Sequence, residues 1–215
     1  MSMTDLPEVY QLRIRLEGIS PMIWRRLLGR SDTSIADLHN LIQLAFGWTD
    51  SHLHRFVIHG KAYGIAYVGG ISFTDDPWHI RLADFGFRPN ERFAYEYDFG
   101  DLWRHEIRVE QILPHHPMQA YPVCTGAARA APPEECGGPQ AFLALRQHFS
   151  IFHSAERILA IVAHHEDIDD PQAELETLQY WLQVDRCDRR AINRQFRHAA
   201  AQPTAIAPTS AEVPA

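Results

Sequence analysis

Two histidines two residues apart, His52 and His54, open the chemical inventory of this sequence. On a strand, that spacing puts both imidazoles on one face, the geometry of a metal-ligand pair. Cys124 and Cys136 would extend it to a thiolate set, and Asp98, Asp101 and His105 offer further donors. Zinc or manganese is the ion such a set would take. The competing reading has the histidines hydrogen-bonded inside an aromatic cluster, with no cofactor at all. The wide separation of the two cysteines, unlike that of a zinc knuckle, favours this second reading.

The string Asp98-Phe99-Gly100-Asp101 places two carboxylates around a glycine turn. Such a pair can hold a cation or do acid–base work. It can also cap the turn and pair with Arg25, Arg26 or Arg104, which is the preferred reading. The letters match a kinase loop, but no Gly-rich phosphate loop, pairing lysine or catalytic-loop motif precedes them. Trp24, Phe46, Trp48, Phe56, Tyr95, Tyr97, Phe99 and Trp103 could stack on the bases of a single strand. As large apolar groups they fit a core better. His52, His54, Asp98, Asp101, Trp103 and His105 therefore define a candidate ligand cleft, polar residues over an aromatic floor. His164–Asp170 reads as a solvated acidic loop, and His115–His116 receives no role.

The elements that must position these residues are legible from periodicity. Val9–Glu17 alternates, with Leu12, Ile14 and Leu16 on one face and Arg13, Arg15 and Glu17 on the other, as a half-buried strand does. Met22–Gly29 reads as a second strand. Its Arg25 and Arg26 point to opposite faces, so at least one lies beside apolar surface and needs an ion-pair partner. Thr33 or Ser34 caps a helix over Ile35–Phe46, with the stripe Ile35, Leu38, Ile42 and Ala45, and Gly47 ends it. His52–Gly60 is a third strand, with His52, His54, Phe56 and Ile58 on one face. Residues 61–80 form a loop or frayed strand pair, and Ile80–Gly86 a short helical turn. Glu91–Asp98 and Trp103–Gln111 form a hairpin, with Phe93, Tyr95 and Tyr97 facing the same way as one another, and Trp103, His105, Ile107 and Val109 likewise. Leu113–Pro139 is too irregular for an element. Gln140–Phe149, Ala155–His164, Gln172–Val184 and the Arg-rich Asp188–Ala199 read as helices.

Strands first and helices second predict an α+β fold: an antiparallel or mixed sheet with a long helix packed on it, then helices in the second half. The expected organisation is a flexible N-terminus over 1–8, one domain over 9–198 and a disordered Ala/Pro-rich tail over 199–215.

A chain of 215 residues with 46% hydrophobic and 22% charged residues has enough apolar material for a core. The net charge of −7 disfavours a general grip on nucleic acid. Arg186–Arg197 is the basic stretch that a DNA-binding reading would use. Lys61 is the only lysine, and the arginines suit internal carboxylate pairs. The longest aliphatic run, Ile158–Ala163, is far below the ~20 residues of a membrane span. Three cysteines, Cys124, Cys136 and Cys187, and no basic–apolar leader indicate a soluble, cytoplasmic protein. Partners are not specified by these features, and a homo-oligomer is compatible with them.

Five blocks in order, ISPMIWRRL (19–27), LHNLIQLAFGW (38–48), DSHLHRF (50–56), YEYDFGDLWRHEI (95–107) and PEECGGP (133–139), resemble the Ri-plasmid ORF-three-like family over roughly residues 9–190. Members of that family are often labelled TnpR-like passengers of insertion elements. The resemblance implies an α+β fold, an association with plasmids and mobile elements, and no established activity, which suits a binding or accessory module. The family pattern often has a cysteine where this chain has Ala131, and an aspartate where it has Glu135. The resolvase label can be weighed on the residues. Ser20 and Ser31 lie near Arg25, Arg26 and Arg30, but the order is strand–turn–strand, and the one basic helix lacks a helix-turn-helix companion. Serine-recombinase chemistry is therefore not supported. A metal-dependent hydrolase or nuclease using His52 and His54 with Asp98 and Asp101 is the alternative to a binding module.

Overall fold

The computed structural model describes residues 6–66, 71–163 and 169–201. The expectations for the first five residues, for most of the acidic loop (164–168) and for the tail beyond 201 lie outside the described residues.

The elements run β1 (Val9–Leu16), β2 (Trp24–Arg30), α1 (Ile35–Phe46), β3 (His54–Ile58), β4 (Lys61–Tyr63), a 3-10 turn (Leu82–Phe85), β5 (Arg92–Tyr97), β6 (Trp103–Leu113), β7 (Val123–Ala128), α2 (Gly138–His148), α3 (Ile151–Ala163), α4 (Pro171–Gln183) and α5 (Arg189–Ala201). The strands form one sheet in the order β4-β3-β5-β6-β1-β2-β7. Among the described residues every strand pairing is antiparallel, and the fold is α+β.

Local chemistry accounts for the two elements that matter most. Ser34 accepts a hydrogen bond from the Asp37 amide and starts α1, and Gly47 ends it at φ 72°. Ile35, Leu38, Ile42, Ala45 and Phe46 of α1 are buried. The β5–β6 hairpin pairs Tyr97 with Trp103, Tyr95 with His105 and Phe93 with Ile107, so the aromatic sides of both strands share the core face. The neighbouring β3 sets His54 opposite Tyr97 and Phe56 opposite Tyr95.

Several expectations change; among them, β3 begins at His54 and α3 at Ile151. The stretch Leu113–Pro139 contains β7, which pairs with β2. Its residues (VCTGAA) are small and carry no apolar alternation, so partner strand and packing, not propensity, make it a strand. The last helix continues to Ala201, past the expected start of the tail, with Ile192 and Phe196 buried and contacts to β7 and α1.

Candidate functional site

His39 and Gln43, one turn apart on α1, reach down to Tyr95 on β5. The Tyr95 hydroxyl lies 2.8 Å from His39 Nδ1 and accepts from Gln43 Nε2 at 2.9 Å. His39 Nε2 lies 2.7 Å from Asp50 Oδ1, and the Asp50 amide donates to Gln43 Oε1 at 3.2 Å. These four contacts close a ring of hydrogen bonds. A carboxylate at Asp50 places the His39 proton on Nε2, so Nδ1 accepts from the Tyr95 hydroxyl. Asp50 itself sits in the left-handed region at φ 58°, which aspartate tolerates better than most residues.

His54 stacks on His39 with ring centroids 3.5 Å apart and planes within 8°. It is buried, its Nδ1 has no hydrogen-bond partner among the described residues, and its Nε2 receives only a long 3.4 Å contact from the Ile65 amide. Burial, and then the neighbouring His39, push its pKa down to about 2, so it is neutral. Ligand atoms of His39, Asp50 and His54 lie within 4.8 Å of one another, the one such metal-capable group among the described residues.

Nearer the surface, the loop after β7 folds back over the hairpin turn. The Tyr97 hydroxyl donates to Glu134, which also accepts from the Thr49 amide and hydroxyl, each at 2.8 Å, and from Ser51 Oγ at 3.3 Å. Burial opposes ionisation of Glu134, but these donors outweigh it and hold its pKa below the usual glutamate value. Burial and then Glu134 push the Tyr97 phenol well up. The indole of Trp103 donates to the Glu134 carbonyl at 3.1 Å, and that of Trp48 to the Pro132 carbonyl at 3.0 Å. His52 Nε2 lies 2.5 Å from Glu135 Oε1 and 3.8 Å from Asp98 Oδ2. The hydrogen bond to Glu135 is the main cause that raises the His52 pKa, with burial opposing and the charges of Asp98, Glu135 and Glu134 adding to it.

The expected cleft residues divide into three groups. His52 lies in the loop before β3, not on the strand, because the chain enters β3 only at His54. The two imidazoles therefore serve different neighbours: His52 the carboxylates at the rim, His54 the buried ring system. Asp98 and Asp101 hold the turn. Asp98 accepts from the Gly100 and Asp101 amides at 2.9 and 3.3 Å, and Asp101 accepts from the Gly137 amide at 2.9 Å. Neither pairs with Arg25, Arg26 or Arg104. Trp103 and His105 are fully buried. His105 packs against Phe46, Trp48 and Tyr95, its ring nitrogens have only poorly aligned contacts to the Trp103 and Tyr95 backbone among the described residues, and burial outweighs these to pull its pKa down to about 3.

The expected thiolates do not join His52 and His54. Cys124 is buried on β7, with its thiol 3.4 Å from the Gly126 carbonyl. Burial raises the pKa of Cys136, beside Asp101, to about 11. Arg26 pairs with Glu110, not with Asp98 or Asp101, in a bidentate contact at 2.5 and 3.0 Å. Arg25 meets no carboxylate among the described residues. Only 2% exposed, it donates to the carbonyls of Ala45, Trp24 and Ala128 and lies over the Phe46 ring. Carbonyl dipoles from three elements replace the expected ion pair.

Sequence reasoning missed His39, Gln43, Asp50 and Glu134. A signal was present for two of them: His39 and Gln43 are polar residues four apart on the stripe that carries Ile35, Ile42 and Phe46. Glu134 lay inside a quoted block but had no visible partner until the fold brought Tyr97 to it.

Among the described residues no helix is long and apolar enough to cross a membrane. An uncharacterised protein, y4hQ of Sinorhizobium fredii, is 31% identical over 138 residues, which are 61% of this chain and 68% of that protein. The crystal structure of a protein of unknown function, MM3350 from Methanosarcina mazei Go1, superposes with a TM-score of 0.63 at 30% identity, covering 86% of this chain and 97% of that one. The family described as plasmid pRiA4b ORF-3-like protein matches residues 8–193, and the chain belongs to that family.

Proposed function

We propose that this protein is a binding module, accessory to plasmids and mobile elements, that holds a cationic group at the rim beside His52. One observation carries the reading. The charged groups that act on His52 are carboxylates, Glu135, Asp98 and Glu134, gathered over the aromatic floor of Tyr97, Trp48 and Trp103. A protonated amine, a guanidinium or a divalent cation complements such a rim. Titrating the protein with Mg²⁺, Mn²⁺ and a short diamine, and following the His52 imidazole by NMR, tests the reading. A saturable shift that Glu135→Gln abolishes supports it; no shift with any of the three would sink it.

A second reading, a metal-dependent hydrolase or nuclease, has one specific support: the buried triad of His39, Asp50 and His54. Two imidazoles and a carboxylate are a common donor set for divalent first-row metals. The parallel stack directs the ring lone pairs alongside each other, so one ring must turn before both can reach one ion. His54, whose one hydrogen bond among the described residues is long, is the ring to turn, and His39 must also give up its Nε2 proton or its hydrogen bond from Tyr95. Metal content after purification, and a Co²⁺ titration followed in the visible range, separate this reading from the first. Asp50→Asn should abolish a triad site and leave a rim site intact.

A further inference from the structure

The face of the sheet turned away from α1 carries a row of arginines in register. Arg26 of β2 is paired with Arg13 of β1, Arg13 with Arg108 of β6, and Arg108 with Arg92 of β5. Four guanidinium groups therefore cross four adjacent strands in one line. Like charges directly opposite on neighbouring strands destabilise a sheet, and here three such juxtapositions follow one another. Glutamates interleave with the row on the same face, Glu110 beside Arg26 and Glu106 between Arg15 and Arg92, and they offset part of this repulsion.

The ends of the row touch carboxylates; in the middle Arg13 feels Glu110 only at a distance, and Arg108 has no carboxylate contact among the described residues. Arg26 is held by Glu110, and Arg92 Nη1 lies 3.1 Å from Glu106 Oε2. Arg13 donates to the Met22 sulfur at 3.3 Å and lies over the Trp24 ring, and Arg108 meets the Asn90 amide oxygen; no carboxylate contact is made by either among the described residues. The Nε atoms of both are buried with no acceptor. Between them runs an open groove of about 200 Å³ lined by Arg13, Arg15, Met22, Arg92, Glu106 and Arg108, four guanidinium groups against one carboxylate.

We infer that this row is a binding site for the phosphodiester backbone of single-stranded nucleic acid. Guanidinium groups recognise phosphate oxygens in a planar, two-pronged manner. The strands stand about 4.8 Å apart, so the row extends over roughly 14 Å. A straight, open line of that length matches a flexible chain of phosphates, whereas a compact anion would call for an enclosed pocket. Trp24 stands at one end between Arg13 and Arg26, whose guanidinium carbons lie 5.1 and 5.3 Å from its ring centre. The one aromatic of the row is thus covered by its own arginines, and the row offers phosphate contacts more than a base-stacking surface. The net negative charge of the chain limits the affinity but not the location, because at physiological salt charges are screened beyond about 8 Å. The inference is independent of what the rim at His52 holds.

The test is fluorescence anisotropy of a labelled oligothymidylate with the full chain at low and moderate salt. Binding should weaken as salt rises, with a slope corresponding to about two or three phosphates. Arg13→Glu combined with Arg108→Glu should reduce affinity at least tenfold. Arg190→Glu with Arg197→Glu on α5, and His52→Ala at the rim, should leave it unchanged. A loss caused by the α5 pair instead, tighter binding to a duplex than to a single strand, equal competition by equimolar inorganic phosphate, or salt-independent retention would each overturn the inference. A separate readout needs no ligand: Arg13→Gln and Arg108→Gln should raise the thermal midpoint, because they relieve repulsion within the row. An unchanged or lowered midpoint in both would remove the premise that the fold tolerates the row at a cost.

Discussion

His39 and His54 lie ring on ring, 3.5 Å apart, yet only one of them is fully hydrogen-bonded. His39 has Tyr95 on one nitrogen and Asp50 on the other. His54 borrows its place from the stack. This asymmetry sets which substitutions at the site should disturb the fold and which should disturb only its chemistry.

Tyr95→Phe removes the hydroxyl that joins α1 to β5. His39 Nδ1 and Gln43 Nε2 then lose a buried partner. A cost of about 1–3 kcal/mol follows from leaving such groups unpaired. Urea denaturation should show a lower midpoint with an unchanged slope, and His39→Phe combined with Tyr95→Phe should cost less than the two single changes added together.

The buried imidazoles make stability acid-sensitive. His54 and His105 have pKa values held down to about 2 and about 3. Above the ordinary histidine value of ~6.5 they are neutral both folded and unfolded, and they add no pH dependence. As pH falls below that value, the unfolded chain takes up protons that the folded chain refuses, so stability is lost. The slope should approach roughly 1.4 kcal/mol per pH unit for each imidazole. Denaturation midpoints measured between pH 7 and pH 5 should fall, and His105→Phe should flatten the fall.

His52 behaves with the opposite sign. Its folded pKa is raised, so its contribution is present below the ordinary histidine value and is lost as pH rises through the folded one. NMR titration should place its midpoint above that of an exposed peptide histidine. Glu135→Gln should bring the midpoint down; a midpoint that stays put would show that Asp98 and Glu134 carry the effect.

Gly138→Ala tests the clasp between the loop and the hairpin turn. A Cβ there would stand 2.5 Å from the Asp101 carbonyl oxygen, at a φ of +82°. The left-handed backbone alone costs about 1–2 kcal/mol, and the clash adds to it. The variant should be destabilised by ~2 kcal/mol or more, and the His52 titration should shift toward the ordinary value as Glu135 moves away.

The sequence was most informative where one residue type leaves one option. Ser34 and Gly47 bracket α1 because a side-chain cap and a left-handed glycine are local devices. Tyr95, Tyr97 and Trp103 were readable as core because strict alternation assigns faces. The partners of these residues were less legible. Arg25 was expected to need a carboxylate, and nothing local indicates that the carbonyls of Ala45 and Ala128 would converge on it from α1 and β7. The separation of His52 from His54 depends on where β3 begins, a boundary that alternation extends too far. Glu134 gains its role from Tyr97, 37 residues earlier, and no spacing rule spans such an interval.

The same clasp has a mechanical consequence. Gly137 binds Asp101, Glu134 binds Tyr97, and Trp48 and Trp103 reach the backbone of the loop. That loop is thus stitched to two separate parts of the first half of the chain, the β5–β6 hairpin and the segment after α1. Its length is fixed at both ends, by β7 on one side and α2 on the other. A one-residue insertion between Arg129 and Pro132 would pull every stitch out of register at once, while the same insertion at His115–His116 would meet no such constraint. The tolerance of the chain to length change should therefore alternate sharply within some fifteen residues, a pattern set by attachment and not by secondary structure.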